Sequence, residues 1–518
     1  MRDQFRYSGA DRRIHGWQTR PGGVALTRSP ANAGETHSLG TSAARNAALT
    51  LGGQGARFLL QLASVVVLAR LLTETDYGLI GMVWAIIGVG HILKDFGLGA
   101  AAIQARDLTR GQRDNLFWLN AGAGLILTSL CLAAAPLIAA FYRRDDLAVL
   151  VWWLAPTLLL SGMTTQYRAD LTRRLKLGRV AAAEIASTAL GLAAGVGGAI
   201  LGWGPGALIA QQLVGGVLAV VLLVVLAGWI PRWYKTREPM RQLFGFGLPV
   251  FGAQMLTYLV NNADAVIIGR MFGPVPVGLY NRGLQVVRVP MSQLRGPLDT
   301  LSLSVLSRLH DNDDRFLRFV RRGQLVMAYP LLAAAGGLIA AAPAVVDLAL
   351  GARWADSAIF IQLLALGEGM TSLAAVGGWI YSSRGHALAL MKFTAVSATV
   401  RLAFALAGSL FGPVGVAAGF ALAHACLWPV SLWWVGRISG LPTGGLILAA
   451  IRVTAICALP SFLTWGSVIW MNGLTSAVVV PVAVTVHLAG FALLWFLPLV
   501  RKDYREILAT VRMARASK

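Results

Sequence analysis

Gly278–Ser302 reads GLYNRGLQVVRVPMSQLRGPLDTLS. The stretch is long enough to cross a bilayer and its neighbours are plainly apolar. Yet it carries Arg282, Arg288 and Arg295, together with Asn281, Gln285 and Gln293. An arginine at the bilayer centre costs ~2.5–3.5 kcal/mol on insertion scales, so three in one helix must face water, protein or an anionic ligand. At ~100° per residue, Arg288 and Arg295 lie about 20° apart around the helix and roughly 10 Å apart along it. Arg282 sits further round and nearer one end. Pro290 and Pro297 remove backbone donors and are expected to bend the helix. We read the stretch as one wall of a cationic, water-filled cavity inside a transport protein. The plainer alternative is that the arginines snorkel or pair with acids, which suits the central Arg288 least.

The surrounding composition agrees with a membrane setting. Of the 518 residues, 56% are hydrophobic and 13% charged, whereas soluble domains carry about 25% charged residues. Apolar stretches of near-spanning length recur along almost all of the chain, with few strand-like alternations and many Gly, Ala and Leu residues. That pattern excludes a barrel and suits close-packed helices. The net charge of +22 does not call for nucleic acid, because Lys and Arg collect in the loops of one side, as positive-inside topology requires. Cys131, Cys426 and Cys457 all fall in apolar runs and offer no metal or disulfide spacing. No apolar signal segment precedes residue 45.

The expected fold is all-α and polytopic, with about fourteen spans. Residues 1–45 read as a basic, disordered cytoplasmic tail. A six-helix lobe is expected over 46–235 and a second over 236–437. Two additional spans occupy 438–500, and 501–518 forms a basic cytoplasmic tail. The second span is expected to run from Gly78 to Ile103, the fourth from Leu147 to Tyr167 and the last from Leu474 to Val500. The short loops of one side hold only Arg70, Arg143, Arg144, Arg270 and Arg353. The opposite loops, including RADLTRRLKLGR (168–179), are crowded with cations, which predicts both termini in the cytoplasm of a bacterial inner membrane.

The second lobe echoes the first. ARLLTETDYGLIG (69–81) aligns with GRMFGPVPVGLYN (269–281), so Arg70 and Arg270, and Gly78 and Gly278, stand 200 residues apart. GWGPGALIA and LFGPVGVAA correspond at an offset of 208. An even number of spans separates the copies, so they share one orientation and should be related by an axis along the membrane normal. Two such bundles enclose a central cleft of the alternating-access kind. The offset also sets Lys94–Asp95 against Leu294–Arg295.

No catalytic constellation stands out, and no Walker loop is present. His91, His424 and His487 read as packing histidines, and no cofactor or metal is expected. The intramembrane ionisable residues carry more information. Asp264 follows Asn261 and Asn262 in NNADAVIIGR (261–270). It either neutralises Arg282 or Arg288, or binds the H⁺ or Na⁺ that drives a cycle. Glu368 and Arg401 are expected to pair internally. Arg57, on a first helix that would line the cleft, is a candidate substrate contact.

Guanidinium groups in a low-dielectric cleft suit a diphosphate, which arginine binds through forked hydrogen bonds. Neighbouring Asn, Gln and Tyr suit sugar hydroxyls, and a polyprenyl tail can stay in the lipid. LARLLTETDYGLIGMVWAI (68–86), KDFGLGAAAIQ (94–104), RADLTRRLKLGRVA (168–181) and the run from Phe246 to Gly283 resemble bacterial oligosaccharide-lipid flippases for exopolysaccharide or O-antigen units. These belong to the multidrug/oligosaccharidyl-lipid/polysaccharide superfamily. The resemblance covers about Asn46–Arg437. It implies two six-helix lobes, often fourteen spans, and movement of an undecaprenyl-diphosphate-linked oligosaccharide from the inner to the outer leaflet. A polysaccharide polymerase and export machinery are then possible partners.

On this reading Arg57, Arg282, Arg288 and Arg295 hold the diphosphate, and Asn261 and Asn262 contact the head group. Asp264 and Glu368 are charge partners or coupling groups. A multidrug cation antiporter of the same superfamily would want an acidic cavity instead. A peptidoglycan-precursor flippase would share the cationic one. A membrane glycan polymerase or ligase would be expected to show a large outer loop, which this chain lacks. A scaffold subunit of an export complex would not need buried arginines.

Overall fold

The computed structural model describes residues 52–105, 108–234, 240–309 and 312–516. The expected tail over 1–45 lies outside these residues. All regular structure among the described residues is helical. The first seven helices are α1 (Gly52–Leu71), α2 (Glu74–Leu93), α3 (Leu98–Gln104), α4 (Arg110–Tyr142), α5 (Asp146–Leu154), α6 (Pro156–Arg173) and α7 (Leu177–Ile200). They are followed by α8 (Pro205–Ala227), α9 (Arg241–Phe272), α10 (Pro274–Leu306), α11 (Asp313–Ala349) and α12 (Ser357–Ser383). The last five are α13 (Ala387–Ser409), α14 (Gly412–Ser439), α15 (Gly444–Trp470), α16 (Ser476–Leu493) and α17 (Pro498–Ala516).

Twelve spans satisfy both the length and the apolarity needed to cross a membrane, with α5 and α6 forming one of them. Helices α9 and α10 have 32 and 33 residues and therefore the length to cross as well. Counting them gives the fourteen expected. Helix α10 falls short in apolarity because it carries Arg282, Arg288 and Arg295 with Asn281, Gln285 and Gln293. Helix α10 continues through both Pro290 and Pro297.

Three boundaries differ from expectation, each for a local reason. The second span stops at Leu93, because Phe96 and Gly97 adopt positive φ (43° and 69°). There the Asp95 carboxylate accepts from the Gly99 N–H at 2.9 Å and starts the short α3. The fourth span is broken between Leu154 and Pro156, where proline opens α6. The last span ends in a 3₁₀ turn, Leu494–Phe496, and the expected tail begins instead as helix α17. The repeat likewise fails at Lys94 and Arg295. Lys94 is buried at the end of α2 and donates to Thr165 at 3.3 Å, whereas Arg295 lies inside the uninterrupted α10.

Elsewhere the repeat is visible in the packing. A Cβ on Gly78 would strike the Pro274 carbonyl, and one on Gly278 would strike the Glu74 carbonyl. Helices α2 and α10 thus cross with backbones in contact, each glycine on the partner's first turn. Arg70 of α1 donates to the Leu348 carbonyl of α11 at 2.5 Å, and Arg270 of α9 covers the Phe141 ring of α4 at 5.8 Å. Each arginine reaches into the opposite half, which is the reciprocity a twofold-like relation produces. The Trp354 indole, fully buried, closes the same end by donating to the Ala69 carbonyl at 2.8 Å. Thr73 and Asp76 form a capping box that starts α2 beside this contact.

Candidate functional site: a cationic cavity between the halves

A cavity of about 970 Å³ lies between α1, α2, α6, α7 and α8 on one side and α9 and α10 on the other. Four guanidinium-bearing residues line it, Arg57, Arg168, Arg282 and Arg288, and no carboxylate does among the described residues. Hydroxyl and amide groups fill much of the remaining wall, including Gln61, Ser161, Thr164, Gln211 and Gln285.

Helix periodicity decides which groups reach the cavity. Arg282 is 8% exposed; its guanidinium carbon lies 3.4 Å over the Tyr77 ring, and it donates to Gln285 Oε1 at 2.8 Å. It makes no ion pair among the described residues. A buried cation held by a ring face and a neutral amide keeps most of its electrostatic demand unmet. Arg288, nearly two turns along, donates through Nε to Glu368 Oε1 at 2.6 Å and still borders the cavity. Arg57 is ion-paired with Glu184 of α7, which also takes Arg168 Nε at 3.1 Å. Four guanidiniums against these two carboxylates leave an excess of two positive charges.

The other candidate residues divide between this cavity and its surroundings. Asn262 lines the cavity and donates to the Tyr258 carbonyl at 2.9 Å. Asn261 does not line it, since it sits ~100° round α9 from Asn262. It accepts instead from Arg401 Nη2 at 3.2 Å. Asp264, 5% exposed, receives the Tyr280 hydroxyl at 2.9 Å rather than forming an ion pair with Arg282 or Arg288. The expected Glu368–Arg401 pair is not formed, because Arg288 occupies Glu368 and Arg401 turns to α9. Arg295 pairs with Asp299 four residues on at 3.0 Å. It lies two turns below Arg288 and faces a separate space of about 270 Å³ shared with Gln61, Arg288 and Glu368.

Arg168 was missed in sequence because RADLTRR reads as a basic loop. In the structure α6 runs on to Arg173, which draws Arg168 more than a turn into the helix. Tyr77, just ahead of the expected second span, and Trp84 within it also face the cavity. His91 does pack as expected, against Trp84 at a 5.1 Å ring separation and with Ser161 Oγ at 3.0 Å, but it borders the cavity too.

The profile of a polysaccharide biosynthesis protein family matches residues 67–359. The teichuronic acid biosynthesis protein TuaB of Bacillus subtilis (strain 168) is 26% identical over 339 residues, covering 64% of this chain and 68% of TuaB. The lipopolysaccharide biosynthesis protein WzxC of Escherichia coli (strain K12) is 23% identical over 373 residues, covering 70% and 74%. Among solved structures, the lipid II flippase MurJ in an inward closed conformation superposes with a TM-score of 0.68 at 12% identity. It covers 87% of this chain and 98% of MurJ, a likeness of fold.

Proposed function

Given that this chain belongs to the polysaccharide biosynthesis protein family, we propose that it is a flippase for an undecaprenyl-diphosphate-linked oligosaccharide repeat unit. It carries the unit from the inner to the outer leaflet of the cytoplasmic membrane by alternating access. The observation that carries this reading is Arg282, a buried guanidinium whose partners among the described residues are a tyrosine ring and an amide, in a cavity with two surplus positive charges. A diphosphate diester carries two negative charges and offers the oxygens that arginine forks bind. The hydroxyl- and amide-rich wall suits sugars, and the protein route spares the head group its transfer through ~30 Å of hydrocarbon. No covalent bond changes in this cycle.

The position of the lobes supports a direction. Gly78, Gly278 and Trp354 join the halves at the end with short, cation-poor loops. Arg57 and Arg168, each 52% exposed, stand toward the basic-loop end, which positive-inside topology assigns to the cytoplasm. The cavity therefore suits loading from the cytoplasmic leaflet. Its cation excess disfavours a multidrug cation antiporter. A peptidoglycan precursor would present the same diphosphate, and the family favours a polysaccharide repeat unit over it.

Substituting Arg282→Gln or Arg288→Ala tests the diphosphate role in proteoliposomes loaded with lipid-linked repeat units. Losing one charge-assisted contact, roughly 2 kcal/mol, should cut flipping about thirtyfold at unchanged protein level. Undiminished flipping by both variants at wild-type abundance would refute it.

A further inference from the structure

Helix α17 lies outside the cavity between the halves, yet its rotation is fixed by a buried acid. Asp503 is 1% exposed and takes Arg452 Nη2 of α15 on both oxygens at 2.6 Å, while Tyr329 of α11 donates to it at 2.8 Å. At ~100° per residue, Val500, Asp503 and Ile507 share the docked face, and Arg501, Lys502 and Arg505 take the opposite one. Those three are exposed. Together with Arg322 of α11 and the acidic Glu506 they surround a second cavity of about 500 Å³ that begins at Pro498. Arg501 is steadied by donating through Nε to the Trp495 carbonyl at 2.8 Å, and the Trp495 ring meets Tyr504 edge-on at 4.7 Å.

We infer that Arg322, Arg501, Lys502 and Arg505 form a binding site for the phosphate of an anionic phospholipid headgroup on the basic-loop face. Two elements bring the cations to one hollow, and the Asp503 clamp sets α17 so that they face it together. A guanidinium fork matches phosphate oxygens, and lysine adds a point charge. Lipid is favoured as the source because exposed Trp495, Phe496 and Leu499 adjoin the site. Such aromatic and aliphatic side chains settle at the headgroup boundary, where an amphipathic basic helix lies in the membrane surface. The site would tie the last span to the leaflet from which the main cavity loads.

Native mass spectrometry of the full-length protein, with phosphatidylglycerol or phosphatidylcholine added, tests this. Wild type should retain phosphatidylglycerol in preference to phosphatidylcholine. Arg322→Ala, Lys502→Ala and Arg505→Ala combined should weaken phosphatidylglycerol binding roughly a hundredfold, from three surface cations lost. Asp503→Asn provides the sharper arm, with a thermal melt to verify folding. It removes a negative charge, so diffuse attraction would rise, whereas a built site loses its alignment and binding falls. The inference is overturned if the triple variant keeps wild-type binding, or if folded Asp503→Asn binds as well or better. Displacement by millimolar inorganic phosphate would overturn the lipid assignment, assigning the hollow to a free anion. A failure here leaves the flippase reading untouched, since none of these residues lines the main cavity.

Discussion

Glu184 and Glu368 show how this protein keeps guanidiniums inside a membrane domain. Each carboxylate holds arginine at the cavity wall, Arg57 and Arg168 in one half and Arg288 in the other. Truncating one member of a partly buried pair strands the other, at a cost of about 1–3 kcal/mol when exposure is discounted. Arg288→Ala combined with Glu368→Ala should therefore melt higher than Arg288→Ala alone, yet still not flip substrate. Melting temperature and transport, measured on the same preparations, separate the two roles. Glu184→Gln should act in the opposite sense on binding. Removing one negative charge beside the cavity strengthens the local field by roughly 1 kcal/mol, so a soluble diphosphate analogue should bind about fivefold tighter. Turnover should not rise, because tighter holding in the loading state opposes release. Unchanged analogue affinity would argue that Glu184 is remote from the bound anion.

At the scale of elements, the crossing of α2 and α10 is the most sensitive contact. Gly78 and Gly278 each face the other helix's backbone carbonyl, so neither tolerates a methyl group without moving a helix. Gly78→Ala and Gly278→Ala should each destabilise by about 1–3 kcal/mol, the usual cost of overpacking. Gly55→Ala on α1 meets nothing within 4 Å and should be neutral or slightly stabilising, by up to ~1 kcal/mol of helix propensity. Thermal melts of the three variants in one detergent check this. Equal stability across all three would mean that the crossing is not backbone-tight. The repeat in ARLLTETDYGLIG and GRMFGPVPVGLYN was legible, yet its purpose was not. Spacing of 200 residues identifies equivalent positions, while only the packed pair shows that they touch.

For the whole molecule, the halves are joined at the short-loop end by Gly78, Gly278, Arg70 and Trp354, with the polar cavity on the other side of that contact. In a variant with Cys131, Cys426 and Cys457 replaced, Ser161→Cys and Thr188→Cys should label with a membrane-impermeant thiol reagent in inside-out vesicles. They should label far less in right-side-out spheroplasts. A cross-link that holds Ala69→Cys to Trp354→Cys should stop transport reversibly, since the proposed alternating access requires that end to part. Labelling equal from both sides would indicate an open channel instead of a gated one.

Composition alone determined that this is a helical membrane protein with cations inside it. Hydropathy, loop charge and the 200-residue echo are properties of local order, and they survive without knowledge of packing. The tertiary structure alone decided which cations form the site. Adjacent residues on a helix point ~100° apart, so Asn262 enters the cavity while Asn261 is claimed by Arg401. The end of α6 brings Arg168 inward, and the length of α10 carries Arg295 past the cavity to Asp299. Such assignments depend on where helices end and what lies across from them, and that information is shared between segments far apart in the chain.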